Sequence, residues 1–240
     1  MTRLKARRIT KFPYTAYCML AFLVLGLTVV AINSFLPNLQ RRRRVARAFA
    51  RAFLRIIGVR LSVEGSALLP QTPCVVVANH ASYVDGIVAV AALPAHFAFV
   101  IKKEMVKVPL AGFLLRRLGS EFVERFDRHK GASDARRVLR LAATGQSLVF
   151  FPEGTFGQVR RIGKFLGGAF TIAVRSSMPI VAVAIHGTRE MFPPAGAFFH
   201  RVPIRFQILE VMPPEGARER SRHLIAAAMG EPLEPLGQTP

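Results

Sequence analysis

Cysteine is nearly absent: the chain has two in 240 residues, with no CxxC pair and no Cys/His cluster. That excludes a disulfide scaffold and a structural zinc site. Acidic residues are scarce too, 14 Asp+Glu against 34 Lys+Arg, for a formal net charge of +20. The shortage is local. Residues 1–60 hold 13 Lys or Arg and no Asp or Glu, which leaves a net of +7 on the remainder. Low hydrophobicity is also lacking, because 51% of the chain is hydrophobic, and this excludes intrinsic disorder. No GxSxG elbow and no internal repeat occur. A chain of this length buries a full core without staples.

Between the two N-terminal basic clusters, Phe12 to Gln40 carries no charge, and Pro13 and Pro37 bracket an apolar run at 14–36. At about 1.5 Å per residue a helix of that length spans a hydrocarbon core of roughly 30 Å. A cleaved signal peptide is the competing reading, but no small-residue cleavage site follows cleanly and the run exceeds a usual apolar region. The next stretch, RRRRVARAFARAFLRII at 41–57, repeats Val45, Phe49, Phe53, Ile56 and Ile57 at helical spacing among arginines. The pattern predicts an amphipathic basic helix that lies in the headgroup region and meets anionic lipid. Both flanks of the apolar run are basic, so a single span would put one cluster on the unfavourable side. A monotopic hairpin is therefore preferred to a span.

From residue 61 the pattern changes to short apolar runs alternating with amphipathic segments. Strands are predicted at 60–63, 74–78, 97–101, 121–123, 147–151, 180–185 and 204–211, and helices at 84–92, 109–118, 132–144, 168–176 and 217–229. CVVVA, SLVFF and IVAVAI are near-continuous apolar runs, as strands buried on both faces require. The expected fold is α/β, a mostly parallel central sheet flanked by helices, preceded by a membrane-associated two-helix segment. The expected division is an anchor at 1–60, a catalytic domain at 61–229, and a loose tail at 230–240, which contains three prolines.

Chemistry is concentrated first in Asn79-His80-Ala81-Ser82-Tyr83-Val84-Asp85, directly after CVVVA. Strand ends are where α/β sheets form their sites. With His80 in the turn and Asp85 in the first helical turn, the carboxylate can fix the imidazole tautomer and leave the other nitrogen as a general base. Ser82-x-x-Asp85 also fits a capping pattern, which accounts for those two residues without catalysis.

The run Asn79-His80-x-Ser82-x-x-Asp85 resembles the first motif of the glycerolipid acyltransferases typified by 1-acyl-glycerol-3-phosphate acyltransferase. Lys102-Lys103-Glu104-Met105, Pro109, Gly119 and Phe122-Val123-Glu124-Arg125 are similar to the second block. Phe151-Pro152-Glu153-Gly154-Thr155 resembles the third motif, and the run from Pro179 to Thr188 the fourth. Four blocks in order cover roughly residues 74–188. The resemblance implies fatty acyl transfer from acyl-CoA or acyl carrier protein, as substrate rather than cofactor, to a glycerolipid hydroxyl. It implies His80 as the general base, Asp85 as its orienting partner, and an acceptor held by Arg125, Glu153, Gly154 and Thr155. No acyl-enzyme is required, and Ser82 is read as a cap or turn residue. The histidines lack ligand-like spacing, so no metal is expected.

One departure bears on the acceptor. Arg-Ser commonly follows Glu-Gly-Thr in this family, whereas Phe156-Gly157 stands here, so a phosphate-contacting cation is missing from the loop unless Arg160, Arg161 or Lys164 replaces it. The expected acceptor is 1-acyl-glycerol-3-phosphate, giving phosphatidic acid; a lysophospholipid or lyso-amino-lipid is the alternative that Phe156 would suit. A membrane-tethered nucleic-acid-binding protein is a distant alternative, because charge alone carries little specificity and no recognition signature accompanies it. The expected location is a membrane, with the catalytic domain on the cytoplasmic side, and the expected partners are membrane lipids, not nucleic acid.

Overall fold

The computed structural model describes residues 11–124, 128–155, 157–196 and 198–235. Two long helices come first, α1 (Lys11–Phe35) and α2 (Leu39–Ile56). There follow β1 (Leu61–Glu64), β2 (Val75–Ala78), α3 (Asp85–Ala92), β3 (Ala98–Lys102), α4 (Ala111–Arg117), β4 (Glu121–Val123), α5 (Arg128–Ala143) and β5 (Leu148–Phe150). The chain continues through α6 (Gly168–Arg175), β6 (Ile180–His186), the single turn α7 (Thr188–Met191), β7 (Ile204–Met212) and α8 (Ala217–Met229). The seven strands form one sheet in the order β1-β7-β6-β2-β5-β3-β4, parallel at every pairing except β6 with β7.

Alternation along the central strands divides the interior into two layers, because successive side chains of a strand point to opposite faces. Val76 and Ala78 of β2 and Val181, Val183 and Ile185 of β6 pack with α3 and with Phe53, Leu54 and Ile57. Val75, Val77, Ile180 and Ala182 pack on the other side with Phe170 and Ala173 of α6 and Ile225 of α8. Both faces of β2 and β6 are buried, which explains their unbroken apolar runs.

The basic helix requires a correction. Val45 and Phe49 are only partly buried and Ile56 is 46% exposed; the buried stripe is Ala46, Ala50, Phe53 and Leu54, continued by Ile57. Small residues win the inner face because α2 packs against both α3 and α1. Its arginines are not all available to lipid either. Arg43, 5% exposed, donates to the carbonyl oxygens of Leu118 and His96 and to Oε1 of Gln146, at 2.8–3.1 Å. Arg51 donates to the Ala91 carbonyl at the end of α3 (2.8 Å), a favourable place for a cation.

Both ends of α1 are tied to the same body. At its start the hydroxyls of Tyr14 and Tyr17 donate to the carbonyls of Ile57 and Ile56, and Thr15 Oγ1 accepts from the Phe199 N–H. At its end Arg117 donates to the carbonyls of Asn33, Ser34 and Leu36, joined by Arg42 on Leu36 and Pro37. The Asn33 and Ser34 carbonyls are among the groups that a helix terminus leaves without intrahelical donors. Leu20, Leu23, Val24, Leu27 and Phe35 remain exposed on the helix so held.

The tail is also corrected in part. Ile162 N–H donates to the Pro232 carbonyl, Glu234 N–H to the Ile162 carbonyl, and Arg161 pairs with Glu234. The buried Arg222 guanidinium donates to the carbonyls of Gly163 (2.9 Å) and Glu234 (2.5 Å). Residues 232–234 thus satisfy backbone groups of the loop after β5; residues 236–240 lie outside the described residues.

Candidate active site

β2, β5 and β6 are parallel, so their C-terminal ends gather at one edge of the sheet. Asn79 follows β2 and braces that edge: its side chain donates to the Ile185 carbonyl (3.1 Å) and accepts from the Ile185 N–H (2.8 Å). The next residue, His80, is thereby held in the turn with its side chain 20% exposed.

Asp85 opens α3 with no exposed surface. Its Oδ2 accepts from His80 Nδ1 (2.8 Å), the Ala81 N–H (2.6 Å) and the Ser82 N–H (2.8 Å). A carboxylate only accepts, so Nδ1 carries the proton and the lone pair resides on Nε2. The His80 ring stacks on Phe151, with centroids 4.7 Å apart and planes inclined by 27°. A base oriented by a buried acid on one side and fixed by a ring on the other is pre-organised to take a proton.

The capping reading is partly realised by the same atoms. Asp85 reaches back to N–H groups ahead of its helix, and Ser82 Oγ accepts weakly from Val84 N–H at 3.4 Å. Ser82 Oγ donates to the Phe192 carbonyl (2.6 Å), and the residue is fully buried. It is a turn residue, not a nucleophile presented to substrate.

Glu153 stands after β5 but is turned inward. Oε1 accepts from the His80 N–H and Oε2 from the Gly163 N–H, each at 2.8 Å. Its carboxylate therefore positions the His80 backbone and the following loop. Burial pushes the carboxyl up to about 7; the two N–H donors oppose the rise, and the Asp85 and Glu231 charges add to it. Between the ordinary value of 4.5 and about 7 the folded protein keeps a proton that the unfolded chain has released. Folded stability from this group is full below pH 4.5, falls as pH rises to about 7, and is level above. Glu153→Gln should remove the slope. Chemical denaturation at a series of pH values should show wild type losing on the order of 3 kcal/mol relative to the variant across that window.

Gly154 adopts φ +78°, with its N–H on the Phe151 carbonyl (3.1 Å), closing the turn, and Thr155 is exposed beside it. Arg125 and Phe156 lie outside the described residues. Of the cations proposed to replace the missing one, Arg161 is engaged by Glu234, and Arg160 by Glu190. Arg160 nevertheless lines a cavity of about 250 Å³ next to Ala81, with His186, Thr188, Arg189, Glu190, Met229 and Glu231. Thr188 Oγ1 and Arg189 Nε are buried there without a hydrogen-bond partner among the described residues. This cavity was not foreseen from sequence: its walls come from β6, α7, the loop after β5 and the tail.

The family model described as Acyltransferase matches residues 60–186. The chain is 30% identical over 186 residues to a chloroplastic 1-acyl-sn-glycerol-3-phosphate acyltransferase of Brassica napus, covering 74% of this chain and 54% of that protein. It is likewise 30% identical over 221 residues to a lyso-ornithine lipid O-acyltransferase of Pseudomonas aeruginosa, covering 82% of each. The chain thus spans about half the length of the first of these and most of the second. The crystal structure of a 1-acyl-sn-glycerophosphate acyltransferase from Thermotoga maritima shares the fold, with a TM-score of 0.78 and 23% identity over 92% of this chain and 95% of that one.

Proposed function

Because the chain belongs to the Acyltransferase family, we propose that it moves a fatty acyl group from acyl-CoA or acyl carrier protein to the hydroxyl of a lysolipid at a membrane surface. The observation that carries the reading is His80 held through Nδ1 by the buried Asp85. Nε2 takes the proton of the acceptor hydroxyl as that oxygen attacks the thioester carbonyl. The tetrahedral adduct collapses, the C–S bond breaks, and the departing thiolate recovers the proton from the imidazolium. Asp85 stabilises the transient imidazolium and keeps the tautomer. Ser82 Oγ, donating to a backbone carbonyl, takes no part, so transfer is direct.

The first reading of the acceptor is 1-acyl-glycerol-3-phosphate, giving phosphatidic acid, in line with the name of the Brassica napus relative. A specific observation favours a second. The cavity beside Ala81 carries both signs of charge, Arg160 and Arg189 with Glu190 and Glu231, which matches a headgroup bearing an ammonium as well as an anion. The relative that the chain covers at 82% is named for such an amino-lipid. Purified full-length protein should be given acyl-CoA and a panel of lysolipids, with products identified by mass spectrometry. Phosphatidic acid as the main product supports the first reading. Preference for an amine-bearing acceptor, reduced about tenfold relative to lysophosphatidate by Glu231→Gln, supports the second. No acylated product from any lysolipid would refute both.

The tethering of α1 at both ends to one body supports an in-plane, monotopic attachment, which we place on the cytoplasmic face; the first basic cluster, within residues 1–10, lies outside the described residues.

A further inference from the structure

Beyond α1, one exposed segment has a conformation that its own residues resist. Leu110 lies at φ 58°, ψ −50°, and the Ala111 N–H closes on the Pro109 carbonyl at 2.6 Å. This is the three-residue turn with positive φ at its centre, rare and costly for a residue with a Cβ. Glycine would adopt it freely, yet leucine stands there with half its surface in solvent. Its neighbours enforce the turn. Gly112 sits so close to the preceding 3-10 helix (Lys103–Lys107) that a Cβ would meet the Val106 carbonyl oxygen at 2.4 Å, so α4 starts hard against that helix and the link must double back.

The strain has a visible product. Val108 and Phe113 are also about 40% exposed, so the turn presents three large apolar side chains together. Lys102, Lys103, Lys107 and Arg116 are exposed around them, with Glu104 the acid among them. The patch continues into the exposed face of α1, because α4 packs on α1 and Arg117 ties it to the residues next to Phe35, itself 87% exposed. Single exposed leucines need no explanation; a strained apolar turn flanked by exposed lysines and lying beside a bare apolar helix does.

We propose that the 108–113 turn is a second membrane-insertion element, in which Val108, Leu110 and Phe113 enter the acyl boundary of an anionic bilayer beside α1 while the surrounding lysines meet the headgroups. The proposal rests on the reading that the protein works at a lipid surface. It assigns the strain at Leu110 a purpose: the side chain is held out of the core and into lipid.

The test uses the full chain with vesicles of phosphatidylcholine alone or mixed with phosphatidylglycerol, followed by sedimentation. Wild type should bind the mixed vesicles and release them as salt rises. Leu110→Gly should bind several-fold less while melting at or above the wild-type temperature, because the substitution relieves the turn. A Val108→Ser, Phe113→Ser double variant should lose about tenfold or more. Both variants should keep wild-type transfer from acyl-CoA to a short-chain, water-soluble lysolipid. Unchanged vesicle binding in both would overturn the proposal. So would loss confined to transfer from acyl carrier protein, which would make the turn a protein-docking site. Wild type that ignores anionic vesicles would overturn it together with the membrane reading, while the soluble assay would still report the acyltransferase chemistry.

Discussion

His80→Ala is expected to lower acyl transfer by about 10²–10⁴-fold, the usual contribution of a positioned general base. The side chain is partly exposed, and Asp85 keeps the Ala81 and Ser82 N–H groups when the imidazole is removed, so thermal unfolding and vesicle binding should stay close to wild type. The residual rate would come from holding donor and acceptor together. A variant with full activity would remove His80 from the chemistry, whereas one that failed to fold would show up in the melting curve rather than in the kinetics.

Asp85→Asn is expected to cost a similar factor in rate and, unlike His80→Ala, to cost stability as well. The carboxylate accepts three N–H groups through one oxygen. An amide in its place either accepts with its carbonyl oxygen, without the charge that stabilises the imidazolium, or turns its NH₂ toward the ring and the two backbone N–H groups, which draws the imidazole into the other tautomer and leaves buried donors unmet. Leaving such donors without an acceptor costs about 1–3 kcal/mol each. The split is diagnostic: His80→Ala should move kcat alone, and Asp85→Asn should move kcat and the melting temperature together. Equal melting temperatures for Asp85→Asn and wild type would show that the carboxylate does not organise the turn.

The contact between these two residues was legible in the sequence because a turn, unlike a packed wall, is local: both lie within seven positions after a buried strand. The central strands β2 and β6 were legible for the related reason that burial on both faces leaves unbroken apolar runs, visible in CVVVA and IVAVAI without knowing their neighbours. The order of the strands was not. Nothing in residues 204–212 says that β7 runs antiparallel to β6 and brings β1 in beside it. Glu153 shows the limit at the site itself. Its motif marked it as a functional acid, but only packing shows that its oxygens face two backbone N–H groups rather than solvent. Arg43 and the alanines of α2 were misjudged because a pattern of arginines and large apolar residues describes a free helix. Close helix packing selects the small residues, and a guanidinium becomes buried where carbonyl oxygens converge on it. The charged cavity depends on Glu231, in a tail that composition marks as loose, and on Arg189, far from the first motif.

The most direct test of the chemistry is rescue. His80→Gly leaves space beside Phe151 where the imidazole stood. Added imidazole should restore acyl transfer in that variant, saturably and in proportion to its unprotonated fraction, with thiol released in step with acylated lipid. His80→Gly turning over at the wild-type rate without imidazole would contradict the assignment of His80 as the base.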